Sequence, residues 1–150
     1  VDEIGAGRTG VRLSPVTPAN DIGQDSHAQA LFEHVVERLA PLELAFIHVV
    51  EGATGGPREI EDRPFDYEAL KAAYRQAGGK GAWMVNNGYD KPLAEEAVKE
   101  GDDLVAFGKP FISNPDLVRR LRENAPLNPL DKATMYGGGA KGYTDYPVLA

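Results

Sequence analysis

Four short apolar runs recur along the chain, and each is followed by a stretch whose apolar positions return every three or four residues. The runs are Gly10 to Leu13 (GVRL), Leu44 to Val50 (LAFIHVV), Ala82 to Val85 (AWMV) and Leu104 to Phe107 (LVAF). None alternates cleanly between apolar and polar. Runs apolar toward both faces predict parallel strands covered on either side, rather than a sheet with one wet face.

The stretches between the runs have helical spacing. Leu31, Phe32, Val35, Val36 and Leu39 make one face at 3.6 spacing, with Asp25 or Ser26 as N-cap and Pro41 as the stop. Asp66 is positioned to cap a helix burying Leu70, Ala73, Tyr74 and Ala77, ended by Gly78-Gly79. Pro92 suits a first helical position, with Leu93, Ala94, Ala97 and Val98 as the inner stripe and Gly101 as the close. After the fourth run, Asn114 as cap, Pro115 and Asp116 introduce Leu117, Val118 and Leu121, and Pro126 ends the pattern.

Strand and helix thus alternate four times, which predicts a parallel sheet with right-handed crossovers. From about residue 125 the rhythm stops. Residues 1–124 read as four βα units of a half-barrel or open sheet, and 125–150, rich in Pro, Gly and Tyr, as an irregular tail whose aromatics pack onto the rest of the molecule. Two architectures fit: an open doubly wound sheet, or half of a (β/α)8 barrel, which takes about 250 residues when whole. A half-barrel leaves two apolar edge strands open, and such edges must find partners or aggregate.

Composition narrows the function classes. The 150 residues are 42% hydrophobic and 26% charged, as in an ordinary soluble domain. A formal charge of -7 disfavours nucleic acid and anionic membranes as partners. With no cysteine there is no disulfide scaffold, thiol nucleophile or thiolate metal site. No apolar run approaches the roughly 18 residues that span a bilayer, and no signal peptide opens the sequence, so a cytoplasmic location is expected. The first residue is Val1, not methionine, which suits a processed or cut chain.

Gly5-Ala-Gly-Arg-Thr-Gly10 matches G-x-G-x-x-G, but that fingerprint needs a strand before it and a helix starting within it. Here it leads into a strand, so it reads as a loop. Gly137-Gly-Gly-Ala-Lys-Gly142 likewise lacks the order and helix of a P-loop. No metal-ligand spacing occurs.

In a (β/α)8 barrel, chemistry sits at the C-terminal strand ends, and phosphate often binds in the loops after strands seven and eight. If the last two runs are those strands, Asn86-Asn-Gly-Tyr-Asp90 and Gly108-Lys109 become neighbouring loops. Gly88 and Gly108 permit close backbone approach, and Lys109 adds a cation, which together describe a phosphate cup. A surface lysine paired with an acid is the competing reading of Lys109. Arg12, inside an apolar run, is costly unless it meets an anion or carbonyl oxygens; a salt bridge to a core acid is the alternative.

The segments GRTGVRLSPVTPAND, FGKPFISNPDL and YGGGAKGYTDYP resemble the old yellow enzyme family of FMN-dependent ene-reductases, particularly its N-ethylmaleimide and nitrate-ester reductase branch. The resemblance covers essentially the whole chain and matches the C-terminal half of that barrel, from strand five onward. It implies that Arg12 contacts the flavin pyrimidine where negative charge accumulates on reduction. It further implies that Asn87, Gly88, Gly108 and Lys109 hold the FMN phosphate, and that Tyr136 stands at the active-site mouth beside flavin and substrate. Tyr136 can equally be an aromatic anchor of the tail. The family usually has arginine where this chain has Lys109, which exchanges a bidentate fork for a point charge.

The family's substrate-binding histidine pair and its proton-donating tyrosine belong to the other half of the barrel, so no catalytic residue is assigned here. His27, His34 and His48 read as structural or solvent-facing. The resemblance implies NADH or NADPH as hydride donor, an activated alkene or nitro substrate, and a complementary N-terminal half-barrel chain as partner, the chain being split or permuted. The residues alone also allow a phosphosugar isomerase or aldolase, a non-enzymatic half-barrel module, or a flavodoxin-like electron carrier.

Overall fold

Four parallel strands pair in the order in which they occur along the chain: β1 (Gly10–Leu13), β2 (Phe46–Val50), β3 (Ala82–Asn86) and β4 (Leu104–Ala106). The computed structural model describes residues 1–19 and 24–150; the last two residues of GRTGVRLSPVTPAND, Asn20 and Asp21, lie outside them. The register sets Arg12 beside His48, His48 beside Met84, and Met84 beside Leu104. Among the described strands there is no reversal of order, the feature that defines a doubly wound sheet. Right-handed crossovers that always step in one direction deliver every connecting helix to the same face.

Burial follows from that order and corrects the expectation of strands covered on both sides. Along β3, and along β2 as far as Val49, it alternates: Ile47, Val49, Trp83 and Val85 are buried, whereas Phe46, His48, Ala82, Met84 and Asn86 are half-buried; Val50, at the end of β2, is buried as well. One face is covered and the other is open. The core adds Val36 from α1 (Ala28–Leu39) and Leu70 and Tyr74 from α2 (Tyr67–Gln76), two helices that pack on each other. The Tyr74 and Trp83 rings lie 5.7 Å apart. Each such side chain contributes about 1.5–3 kcal/mol by leaving water.

The helix ends show which local signals operate. Asp66 Oδ1 accepts from Ala69 N at 2.8 Å and caps α2 as expected. Asp90 Oδ1 does the same for Leu93 N, so α3 (Lys91–Lys99) starts one residue before Pro92. In α1 the cap position is His27; Asp25 instead accepts the His27 N–H in a turn outside the helix, because its side chain reaches only two residues on. Leu31, Ala77 and Val98, expected on inner faces, are exposed. The return from α2 to β3 is tight: a side chain at Gly81 would fall on the Leu44 carbonyl, and one at Gly79 on the Tyr74 ring.

Residues Val1–Ala106, which contain the whole sheet, form one compact unit, and Phe107–Ala150 form a second. The second holds α4 (Lys109–Ser113), α5 (Leu117–Glu123) and the tail. Asn114 does not cap α5: its Nδ2 donates to Pro110 O, its Oδ1 accepts from Asn128 N, and Asp116 takes the cap position without a side-chain cap bond. A buried asparagine can serve two chain segments only by giving up the helix start. Arg120 is 4% exposed and donates to Asp116 Oδ1, Pro126 O and Pro147 O. This fork fastens both ends of the tail to α5. The Leu149 N–H and, after it, Arg120 hold the Asp116 carboxyl below its usual value.

Candidate functional site

The open sheet face carries a line of polar groups on an apolar ground. Arg12 projects from β1 and is exposed; among the described residues no acid or carbonyl pairs with it, so the salt-bridge alternative finds no partner there. His48, its register neighbour on β2, has a buried Nε2 without a hydrogen-bond partner, and Asn86 on β3 has a buried Oδ1 in the same condition. Burial and then the charge of Arg12 lower the His48 pKa, an effect that Asn86 only partly offsets, so the imidazole is neutral at pH 7. The open face thus carries one unpaired cation, Arg12, beside the polar side chains of His48 and Asn86.

At the C-terminal end of β2 the chain turns into a long loop, and the turn after β3 holds that loop in place. Asn87 is buried with φ of 109°. Its Nδ2 donates to Glu51 O at 2.6 Å and Ala53 O at 2.9 Å, while its Oδ1 accepts from Gly55 N at 3.1 Å. Both side-chain donors and the oxygen are therefore engaged by the loop, and Gly88, next in the turn, also has a positive φ of 69°.

A second tie lies beside the first. Glu51, only 7% exposed, accepts at Oε2 from Tyr89 Oη at 2.8 Å and from Arg58 Nε at 2.9 Å. The Arg58 guanidinium stands 4.4 Å over the Tyr89 ring. Burial pushes the Glu51 carboxyl above its usual value, and Tyr89 and Arg58 only partly offset this. Burial and then Glu51 push the Tyr89 phenol up as well. Glu51, Arg58, Ile60, Phe65, Tyr67 and Val16 border a pocket of about 670 Å³. Sequence reasoning passed over this cluster, although an acid directly after an apolar strand is a signal that a partner must exist.

In the second unit, Gly108 precedes α4, and Lys109, its first residue, is half-buried and makes no ion pair among the described residues. Tyr136 is 72% exposed and so does not anchor the tail within its unit; Met135 is buried there, and Tyr146 Oη accepts from Asp131 N. The Gly5–Gly10 segment forms a 3-10 turn entering β1, as its context predicted, and the Gly137–Gly142 segment is a run of turns. No helix among the described residues is long and apolar enough to cross a membrane.

A singly wound parallel βα sheet with polar groups on its open face and at its C-terminal strand ends places the chain in the α/β class. The profile of the NADH:flavin oxidoreductase / NADH oxidase family matches residues 1–128. The chain is 40% identical to 12-oxophytodienoate reductase 7 of Oryza sativa subsp. japonica, over 99% of its own length and 40% of that protein's. It superposes on the old yellow enzyme from Trypanosoma cruzi with a TM-score of 0.84 at 34% identity, covering 99% of this chain and 37% of that one. Morphinone reductase in complex with tetrahydroNAD gives 0.77 at 34% identity, with 94% and 36% covered. The chain belongs to this flavin oxidoreductase family, the old yellow enzymes, and spans about two fifths of the length of these relatives. Flavin is the group that membership implies, and the residues fit it: the unpaired Arg12 guanidinium on the open sheet face offers the cation that an electron-rich flavin ring edge requires.

Proposed function

We propose that the chain is the FMN-binding part of an NAD(P)H-dependent reductase of activated alkenes, such as enones and maleimides, or of nitrate esters. In this reading β1 to β4 are strands five to eight of a (β/α)8 barrel, completed by a complementary N-terminal half-barrel chain in a cytoplasmic setting. The observation that carries it is the unpaired Arg12 on the open face of a sheet whose strands never reverse order. When bound, FMN supplies hydride transfer from a nicotinamide to the substrate through its N5.

Arg12 would set a fixed positive charge toward the pyrimidine of the flavin, the part of the ring that gains electron density on reduction. Neutral His48 leaves Arg12 as the dominant charge on that face. For the phosphate we assign main-chain N–H groups of Asn87 and Gly88, together with Gly108 and Lys109, the lysine acting as a point charge. Tyr136 is assigned to the substrate side, consistent with an exposed ring held on a fastened tail. Substrate carbonyl binding and proton delivery fall to the complementary half.

The test is reconstitution. Mixing the chain with the N-terminal half-barrel of a family member and FMN should give a yellow complex that oxidises NADPH with 2-cyclohexenone or N-ethylmaleimide as acceptor. A folded mixture that retains no flavin after gel filtration would overturn the proposal.

A further inference from the structure

The Asn87 carboxamide makes three hydrogen bonds, all to the loop that follows β2. We infer that Asn87 is a positioning residue whose side chain fixes the wall of the 51–67 pocket, and that only its main chain faces a phosphate. The inference rests on the flavin reading for the second half of that statement and on geometry alone for the first.

Three observations support it. The backbone at Asn87 is held at φ 109°, a conformation costly for any residue with a Cβ, and a buried, over-determined side chain is what sustains such strain. The acceptors and the donor it satisfies are the main-chain groups of Glu51, Ala53 and Gly55. These open a loop that then closes on itself through Ala53 N to Pro57 O and Gly56 N to Ala53 O. The loop also presents Arg58 to Glu51 and Tyr89, and Tyr67 Oη to Gly52 N, so its path sets the shape of the pocket. One turn after β3 therefore has two outputs. Its amides serve one ligand and its carboxamide shapes the space for another, at the C-terminal strand ends where barrel enzymes bind substrate.

Asn87→Gly separates the two, because glycine keeps the positive φ and loses the staple. Hydrogen exchange of this variant should quicken at least tenfold at residues 52–57 and little elsewhere. In the reconstituted enzyme, FMN affinity by calorimetry should stay within threefold while KM for 2-cyclohexenone rises and kcat holds. Gly88→Ala, which strains the turn but keeps the carboxamide, should do the reverse: weaker FMN and unchanged exchange at 52–57. Asn87→Asp keeps the acceptor for Gly55 and loses both donors, and should show intermediate exchange if Asn87→Gly fails to fold. Unchanged exchange at 52–57 in Asn87→Gly or Asn87→Asp overturns the staple, and loss of FMN with that loop intact makes the carboxamide a phosphate ligand instead. If no variant or parent binds FMN, the flavin reading fails, and the exchange result still decides the staple.

Discussion

Tyr89 donates its hydroxyl hydrogen to Glu51 Oε2 across 2.8 Å, joining the turn after β3 to the end of β2 through a carboxyl group that water barely reaches. Arg58 completes the cluster from the loop above it. The cost of burying the carboxylate exceeds what both partners return, so the Glu51 proton is held more tightly than usual.

That sets a direction for pH. The folded pKa of Glu51 stands above its ordinary 4.5, so the stability linked to this group is fully present at low pH and lost as pH rises from the unfolded value through the folded one. Urea denaturation of the parent and of Glu51→Gln at a series of pH values should show the parent losing ground relative to the variant as pH rises above the ordinary 4.5. Parallel pH profiles for the two proteins would remove the argument.

Lys71 and Asp102 form another enclosed pair, 12% and 9% exposed, with Nζ 2.7 Å from Oδ1. Burial alone would lower the Lys71 pKa, but Asp102 and then Glu68 carry it above the ordinary 10.5. Stability from this pair is therefore present below that value and lost as pH climbs through the raised one. Asp102→Asn leaves the ammonium only the exposed Glu68 carboxylate at 3.5 Å and should cost about 1–3 kcal/mol. Adding Lys71→Met should recover most of the loss, and additive losses in the double variant would contradict the pairing.

Arg12 should behave in the opposite sense. Because nothing among the described residues pairs with it, Arg12→Gln should leave the stability of the chain within about 0.5 kcal/mol. In the reconstituted flavoprotein, a hydrogen bond to a charged group is worth about 1.5–3 kcal/mol, so FMN affinity should fall about 10- to 150-fold. Calorimetry decides it; equal affinity would place the flavin away from β1.

Arg120 predicts where the tail gives way. Arg120→Met leaves Pro126 O and Pro147 O without their donor and Asp116 without its cation. The expected cost is about 3 kcal/mol, with rapid proteolysis within 125–150. Arg120→Lys should restore less than half, since one ammonium cannot span three acceptors that a planar fork reaches.

The elements themselves were legible from spacing, because apolar runs and caps such as Asp66 act within a few residues. What spacing could not show was which strand face lies open, since Ile47 and Phe46 are equally apolar and only the sequential strand order separates them. Asn114 looked like a cap because Pro115 and Asp116 follow it, yet its side chain is claimed by Pro110 and by Asn128, fourteen positions on. Glu51 and Tyr89 are 38 positions apart, and no local pattern joins them. The cost of a guanidinium in an apolar run singles out Arg12 from the sequence, and the structure gives it no partner among the described residues; His48 beside it reads from sequence only as structural or solvent-facing.

Trp83, the single tryptophan, sits on the covered side of β3 with Tyr74 near enough to hand on absorbed light. Its emission is thus a built-in gauge of the helix-covered side of the sheet, blue-shifted while α2 stays seated and red-shifted once the sheet opens. Ligands on the opposite side do not touch the indole, so compounds that absorb no light near its emission can be titrated while its glow reports whether the scaffold is whole, and a bound chromophore would announce itself by dimming that glow across the sheet.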